Sequence, residues 1–510
     1  MALAGRSTAG SDPSACRRRC FNPLNPRPSI NESFRGLDLP PNSAPYSFGG
    51  HVFYRKLNRA LPIIVRGEGV YLFDEHGKRY LDACGGAMVA NVGHGVKEIA
   101  DAVGRQAGTL AYVNGTMFGN EPVEALADTL VARSPAGIEK AYFLSSGSEA
   151  VEAALKLARQ YHVQRGQPER SIVIARTPGY HGNTLLALSA SARAHYRELF
   201  EPWLLEVRMI DAPYPYRAGP LGDAAPAMTG DALQEAIEQA GPSKVAAFIA
   251  EPIGGSSTGA SLPPAGYYAR VRDICDRHGI LFIADEVLTG AGRTGKFFAI
   301  DHYAARDGGP IVPDIITMGK GLNGGYVALS AVLTTARIFE TMREGKYGGL
   351  MHAQTYSHHA VGAAAALATL RYMDDHHLIE RAASVGARLQ ERLRSLSSDG
   401  RGAHLVGDVR GVGMLAGAEF VADRTTKQPF SRALKIAERV VDAGLQRGLV
   451  LWPNTGHADG VNGDLVLVAP PFTISEAQIE ELVALLRDSL ADVAAAIGES
   501  LQVPTVASPG

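Results

Sequence analysis

Lys320 stands in the stretch Asp314-Ile-Ile-Thr-Met-Gly-Lys320-Gly-Leu-Asn-Gly-Gly, where a short apolar run meets a glycine-rich turn. An amine held at the carboxyl end of a buried strand is desolvated, its pKa falls, and its neutral form can attack a carbonyl to give a Schiff base. A surface lysine in a loop is the competing account, since most lysines are exposed. The surroundings favour the first. Five short apolar runs, Ala141-Tyr-Phe-Leu144, Ser171-Ile-Val-Ile174, Val245-Ala-Ala-Phe-Ile-Ala250, Ile280-Leu-Phe-Ile-Ala284 and Ile315-Ile-Thr-Met318, each end in polar residues. Open α/β sheets place their ligands at such ends.

Ser145-Ser-Gly-Ser148 follows the first run and opens a helical pattern in which Val151, Leu155 and Ala158 share an apolar face. Free N–H groups of Ser146, Gly147 and Ser148 at that N-terminus suit a phosphate. Ser146-x-x-Glu149 also fits a capping box that needs no ligand. After the second run, Pro178-Gly-Tyr180-His181-Gly182 offers an aromatic pair able to lie flat against a planar ring, although ordinary core packing fits both residues as well. Glu251 after the third run either turns toward a ligand or pairs with an arginine. Asp285 follows four apolar residues, and burying its charge requires a cationic partner such as a protonated ring nitrogen. Glu286 alternates to the opposite face, as a structural acid or a partner for Arg293.

An activated lysine, a phosphate cradle, a flat aromatic and a carboxylate for a ring nitrogen describe a pocket for pyridoxal 5′-phosphate. From about His51 to Ile497 the chain resembles the class III aminotransferases, fold type I enzymes that include ω-amino acid:pyruvate, ornithine and 4-aminobutyrate aminotransferases. The motifs that carry the likeness are Ser145-Ser-Gly-Ser-Glu-Ala150, Gly179-Tyr-His-Gly182, Glu251-Pro-Ile, Asp285-Glu-Val, Gly292-Arg-Thr-Gly295 and Thr317-Met-Gly-Lys-Gly-Leu322.

The resemblance implies that Lys320 carries the cofactor and later moves the substrate proton, and that Asp285 keeps the pyridine nitrogen protonated. It further implies that Gly147 and Ser148 hold the phosphate, that Tyr180 stacks on the ring and that Val287 packs on its other face. Thr355, in His352-Ala-Gln-Thr-Tyr-Ser-His-His-Ala360, matches a threonine that reaches the phosphate of the second subunit, which implies a homodimer with shared active sites. There are departures. His358-His359-Ala360 replaces a common Gly-His-Pro, and Leu288 replaces the glutamine of ornithine-type enzymes, which leans toward the ω-amino acid:pyruvate branch. Arg410 matches a substrate-carboxylate arginine that alternately pairs with the glutamate matched by Glu251; a structural arginine remains the other account. The expected activity is transfer of an amino group from an amine or ω-amino acid to a 2-oxo acid, pyruvate favoured, by a ping-pong mechanism through pyridoxamine phosphate. A decarboxylating aminotransferase or an aminomutase on the same fold is the alternative.

The sheet that must position these residues is expected to be mostly parallel and of a seven-stranded type, since helical patterns alternate with apolar runs. An N-terminal meander begins at Ile63, and Val-rich runs such as Leu465-Val-Leu-Val468 complete a small α/β domain. The expected divisions are a flexible arm over 1–45, the N-terminal part of the small domain over 46–95, the large domain over 96–361, the rest of the small domain over 362–498 and a disordered tail over 499–510. With 46% hydrophobic and 20% charged residues, 510 residues can bury a large core. A net charge of -2 speaks against nucleic acid or an anionic membrane as partner. Cys16, Cys20, Cys84 and Cys275 are too few and scattered for a disulfide framework or a zinc cluster, so no metal is expected and the cytoplasm is the expected compartment. No Gly-x-Gly-x-x-Gly joins an early strand to its helix, which disfavours a dinucleotide enzyme.

Overall fold

The five apolar runs belong to a single sheet. The computed structural model describes residues 51–57, 59, 61–218 and 225–502. In it the runs become the strands Ile138–Leu144, Ile172–Thr177, Val245–Ala250, Leu281–Asp285 and Ile315–Met318. Two more, Arg208–Asp211 and Ser330–Thr335, bring the sheet to seven strands. From one edge to the other the order is Ile138–Leu144, Ser330–Thr335, Ile315–Met318, Leu281–Asp285, Val245–Ala250, Ile172–Thr177, Arg208–Asp211. Ser330–Thr335 runs antiparallel to both its neighbours, and every other pairing is parallel.

Val245–Ala250 and Leu281–Asp285 are buried at every position, as strands covered on both faces must be, so their sequences are continuously apolar. Alternate residues serve the two faces. Phe248, Ala250, Phe282 and Ala284 pack with Tyr268, Val271 and Ile274 of the helix Tyr267–His278. Ala247, Ile249, Leu281 and Ile283 pack instead with Ala150, Val151, Ala154 and Ala158 of the helix Gly147–Gln164. Each large apolar side chain buried this way contributes roughly 1.5–3 kcal/mol. The sheet is thereby held rigid beneath its carboxyl ends.

The expected meander is present as Ile64–Glu68, Tyr71–Asp74 and Arg79–Asp82, paired antiparallel. A short strand from far down the chain, Leu449–Val450, joins it in parallel, with Leu449 opposite Leu81. N- and C-terminal segments thus share a sheet. A second small sheet has the order Val406–Val412, Leu415–Asp423, Asp464–Val468, Trp452–Thr455, all antiparallel, with Gln428–Pro429 beside Leu415–Asp423. The last helix, Glu476–Gln502, continues past the start expected for the tail. The arm over 1–45, with Cys16 and Cys20, and residues 503–510 lie outside the described residues. The chain divides into two compact units, Met1–Pro62 and Ile63–Gly510, and every strand and helix described here belongs to the second.

Candidate active site

Residues that follow all five predicted strands line one cavity of about 150 Å³. Lys320 reaches it from the turn after Ile315–Met318, where the backbone has φ 45°. That left-handed conformation is uncommon for a residue with a side chain, and it tends to persist where surrounding structure enforces it. Burial pushes the Lys320 amine down to about 8; Asp285 and Glu251 oppose the shift, while Arg193 and Arg293 add to it.

Asp285 ends its strand beside the lysine and is held from three directions. His181 Nδ1 lies 2.7 Å from Oδ2, Thr317 Oγ1 donates to Oδ1 at 3.1 Å, and the Val287 N–H donates to Oδ1 at 3.1 Å. Thr317 is the direct register neighbour of Asp285 on the next strand. His181 lines the same cavity, but its ring is engaged with Asp285, and its N–H donates to Ser191 Oγ at 2.8 Å.

Both accounts of the Ser146 turn hold at once. Ser146 Oγ accepts the Glu149 N–H at 3.3 Å and Glu149 Oε2 accepts the Ser145 N–H at 3.0 Å, so the helix is capped. Gly147 and Ser148, at its first turn, still face the cavity. A β-carbon on Gly147 would stand 2.5 Å from Val287 Cγ1, so this close approach of turn and strand end requires glycine. Tyr180 forms another wall, with the Arg193 guanidinium 5.3 Å from its ring centre. Glu251 also lines the cavity and is held by its own loop, accepting Ser257 Oγ at 2.6 Å and the Gly255 N–H at 3.3 Å. An 18-residue helix presenting its N-terminus, an aromatic wall, a buried carboxylate and an amine shifted toward neutrality form a donor set that fits a phosphorylated pyridine aldehyde.

Two expected residues stand elsewhere. Arg410 contacts Asp408 Oδ2 and Glu419 Oε2, each at 2.7 Å, together with Thr258 O and Tyr214 OH, and is not in the cavity wall. Thr355 lines a different and larger cavity of about 940 Å³, beside His352, whose buried ring nitrogens have no hydrogen-bond partner. The proposed Glu286–Arg293 pair is corrected. Glu286 accepts Thr289 Oγ1 and the Ile300 N–H, and burial pushes it up to about 7. Arg293 instead meets Asn91 Oδ1 and the carbonyls of Met414 and Pro470. At the departure His358-His359-Ala360, His359 Nδ1 accepts the Gly362 N–H at 3.3 Å and caps the helix Ala360–Asp375, while the His358 ring packs edge-on to Tyr142 and Phe143. Sequence reasoning missed Thr317, Ser256 and Arg193 as neighbours of the site.

A family model described as Aminotransferase class-III matches residues 53–490. The uncharacterized aminotransferase YodT of Bacillus subtilis is 38% identical over 86% of this chain and 97% of its own. The putrescine–pyruvate aminotransferase of Pseudomonas aeruginosa is 35% identical over 87% of this chain and 94% of its own. Among solved structures, an (S)-enantioselective omega-transaminase from Thermomicrobium roseum superposes with a TM-score of 0.79 at 34% identity, covering 88% of this chain and 97% of that one.

Proposed function

Because this chain belongs to the class III aminotransferases, enzymes of fold type I, we propose that it uses pyridoxal phosphate to move an amino group from an amine or ω-amino acid to a 2-oxo acid, with pyruvate the favoured acceptor. The observation that carries the reading is the meeting of Lys320, Asp285, Tyr180 and the Gly147–Ser148 turn on one cavity. The similar putrescine–pyruvate and omega-transaminase proteins support the amine and pyruvate assignment.

When bound, pyridoxal phosphate supplies a carbonyl for the amine and a protonated ring that accepts the electrons of the broken Cα–H bond. The chain's own residues do the rest. The helix N-terminus at Gly147 and Ser148 holds the phosphate dianion. Lys320, its amine pushed down from 10.5 to about 8, takes the Cα proton and returns it at the other end of the reacting system. Asp285 holds the ring-nitrogen proton, and His181 and Thr317 fix the carboxylate so that it stays aimed. Tyr180 and Val287 flank the ring and exclude water. A second copy of the chain brings Thr355 to this site and covers the cavity around His352, making a homodimer with shared active sites. Among the described residues no helix is long and apolar enough to cross a membrane, and the cytoplasm is the proposed location.

The test is the visible spectrum of the purified, cofactor-loaded protein as amino donors are added singly without acceptor. Loss of the long-wavelength band, restored by pyruvate and not by 2-oxoglutarate, is expected. A band that changes only with release of carbon dioxide or an isomer would replace this reading with decarboxylation or amino migration.

A further inference from the structure

Lys320 is not alone near the cavity in holding left-handed backbone. Ala291, in the segment that follows Asp285, has φ 54°, against φ 45° at Lys320. Neither is glycine, and such backbone persists where its surroundings enforce it. One side chain meets both places. Asn91, 1% exposed and outside the cavity wall, donates from Nδ2 to Ala291 O at 3.0 Å. The same amide fills the space beside Gly321, the residue next to Lys320: a β-carbon there would overlap Nδ2 and stand 2.5 Å from Cγ. The backbone of Gly321 is one that any residue adopts, so it is Asn91 that excludes a side chain.

Asn91 is itself fixed at both polar atoms of its side chain. Arg293 Nη2 donates to Oδ1 at 2.5 Å, and turning the amide over would set donor against donor and acceptor against acceptor. The Asn91 carbonyl accepts the Phe472 N–H at 2.7 Å. Arg293, with no exposed surface, is held in turn by the carbonyls of Met414 and Pro470 and lies 4.7 Å from the centre of the Phe472 ring. An asparagine that served only the core would show the same burial and bonds. Asn91 differs in where it bears, on the turn that carries Lys320 and on the segment that leaves Asp285. The charged groups that act on the Lys320 amine are Asp285, Glu251, Arg193 and Arg293, and His181 and Tyr180 share its cavity.

We propose that Asn91 is a positioning residue for Lys320, a wedge between the Ala291 and Gly321 backbones that keeps the lysine turn left-handed and its amine aimed into the cavity. Without the wedge the turn relaxes into the vacated space and water follows it. The amine then keeps its proton to higher pH, because less burial opposes the charge. It also swings away from the Cα proton, and a displacement of about 1 Å is enough to slow the transfer about 100-fold. The walls at Gly147, Ser148 and Tyr180 stay in place, so binding is spared while the chemical step is not. What the amine does there rests on the aminotransferase reading above; that Asn91 holds it in place does not.

The experiment compares wild type, Asn91→Ala, Gly321→Ala and the double variant, each as the full chain. In the cofactor-free protein the pH midpoint for capture of pyridoxal phosphate, about 8 in wild type, should rise by about one unit in each single variant. The loaded single variants should lose about 10- to 100-fold in kcat, with KM changed less than about threefold. In the double variant the methyl added at position 321 takes the place the amide leaves, so both readouts should move back toward wild type, whereas two losses of mere packing would add. Midpoint and kcat unchanged in the folded single variants, or a double variant worse than either, would overturn the wedge. If wild type captures no pyridoxal phosphate, the aminotransferase reading fails instead. The pH midpoint for reductive methylation of Lys320 by formaldehyde and cyanoborohydride, read by peptide mass, then still decides Asn91. Should Asn91→Ala not fold, Gly321→Ala, which pushes on the same amide from the other side, and the double variant carry the measurements.

Discussion

Two ionisable groups shielded from solvent in this molecule are handled in opposite ways, and the contrast separates a group with a complete set of partners from one left open to a ligand. Glu419, with no exposed surface, is met by Tyr214 OH at 2.6 Å, Arg217 Nε at 2.7 Å, Arg410 at 2.7 Å and His457 at 3.3 Å. Burial pushes its carboxyl up, but His457, Arg410 and Arg217 outweigh that and hold it well below the usual carboxylate range. At Lys320 burial prevails over Asp285 and Glu251, and the amine is left near neutrality beside a void. A charge whose partners are complete fixes the fold; one whose partners are incomplete beside a cavity is available to a ligand.

That contrast breaks most decisively at the lysine. Lys320→Ala should lose turnover by about 10³-fold or more and abolish covalent attachment of the cofactor, while the unfolding midpoint of the cofactor-free protein stays close to wild type; near-normal turnover would remove the lysine from the mechanism. Glu419→Gln should do the reverse. Leaving Arg217 and Arg410 buried without their shared anion should cost about 3–5 kcal/mol in denaturant titration, with turnover per folded molecule changed less than about threefold. If activity falls and stability does not, the cluster belongs to the site after all. Asp285→Asn should bind cofactor yet react about 10²-fold more slowly, and an unchanged rate would dismiss the ring-nitrogen partner. The smallest effect sharpens the comparison. Only the neutral amine captures cofactor, so capture by the cofactor-free protein should rise about tenfold from pH ~7 to ~9 and level off above about 8. A lysine with the ordinary value of 10.5 would still be climbing at the top of that range.

The strands that place the site were legible because burial on both faces makes their sequences continuously apolar and their ends abruptly polar. Ser330–Thr335 and Arg208–Asp211 were not, since each carries polar residues within a short span. Capping by Ser146 was readable from local spacing, and so was the polar end of each run. The grip on Asp285 was not, because His181 is 104 residues away and no local pattern reports the contact. One signal was available: Thr317 is a polar residue inside an apolar run, and strand register sets it directly beside Asp285. Arg193 left no comparable trace, because it follows the site's loops and not a strand end. Of the two accounts of Glu286 the structural acid holds, and the Arg293 pair failed because nearness in sequence says little about a side chain that turns to Asn91.

The pairing of Leu449–Val450 with Leu81–Asp82 gives the chain a direction in time. A ribosome makes the meander early and its fourth strand only near the end, so one edge of the first sheet waits, unpaired, through most of synthesis. The seven-stranded sheet, complete by Thr335, has no such delay. Lys320 can therefore be in place on a finished sheet while the segments that close the small sheet are still being made.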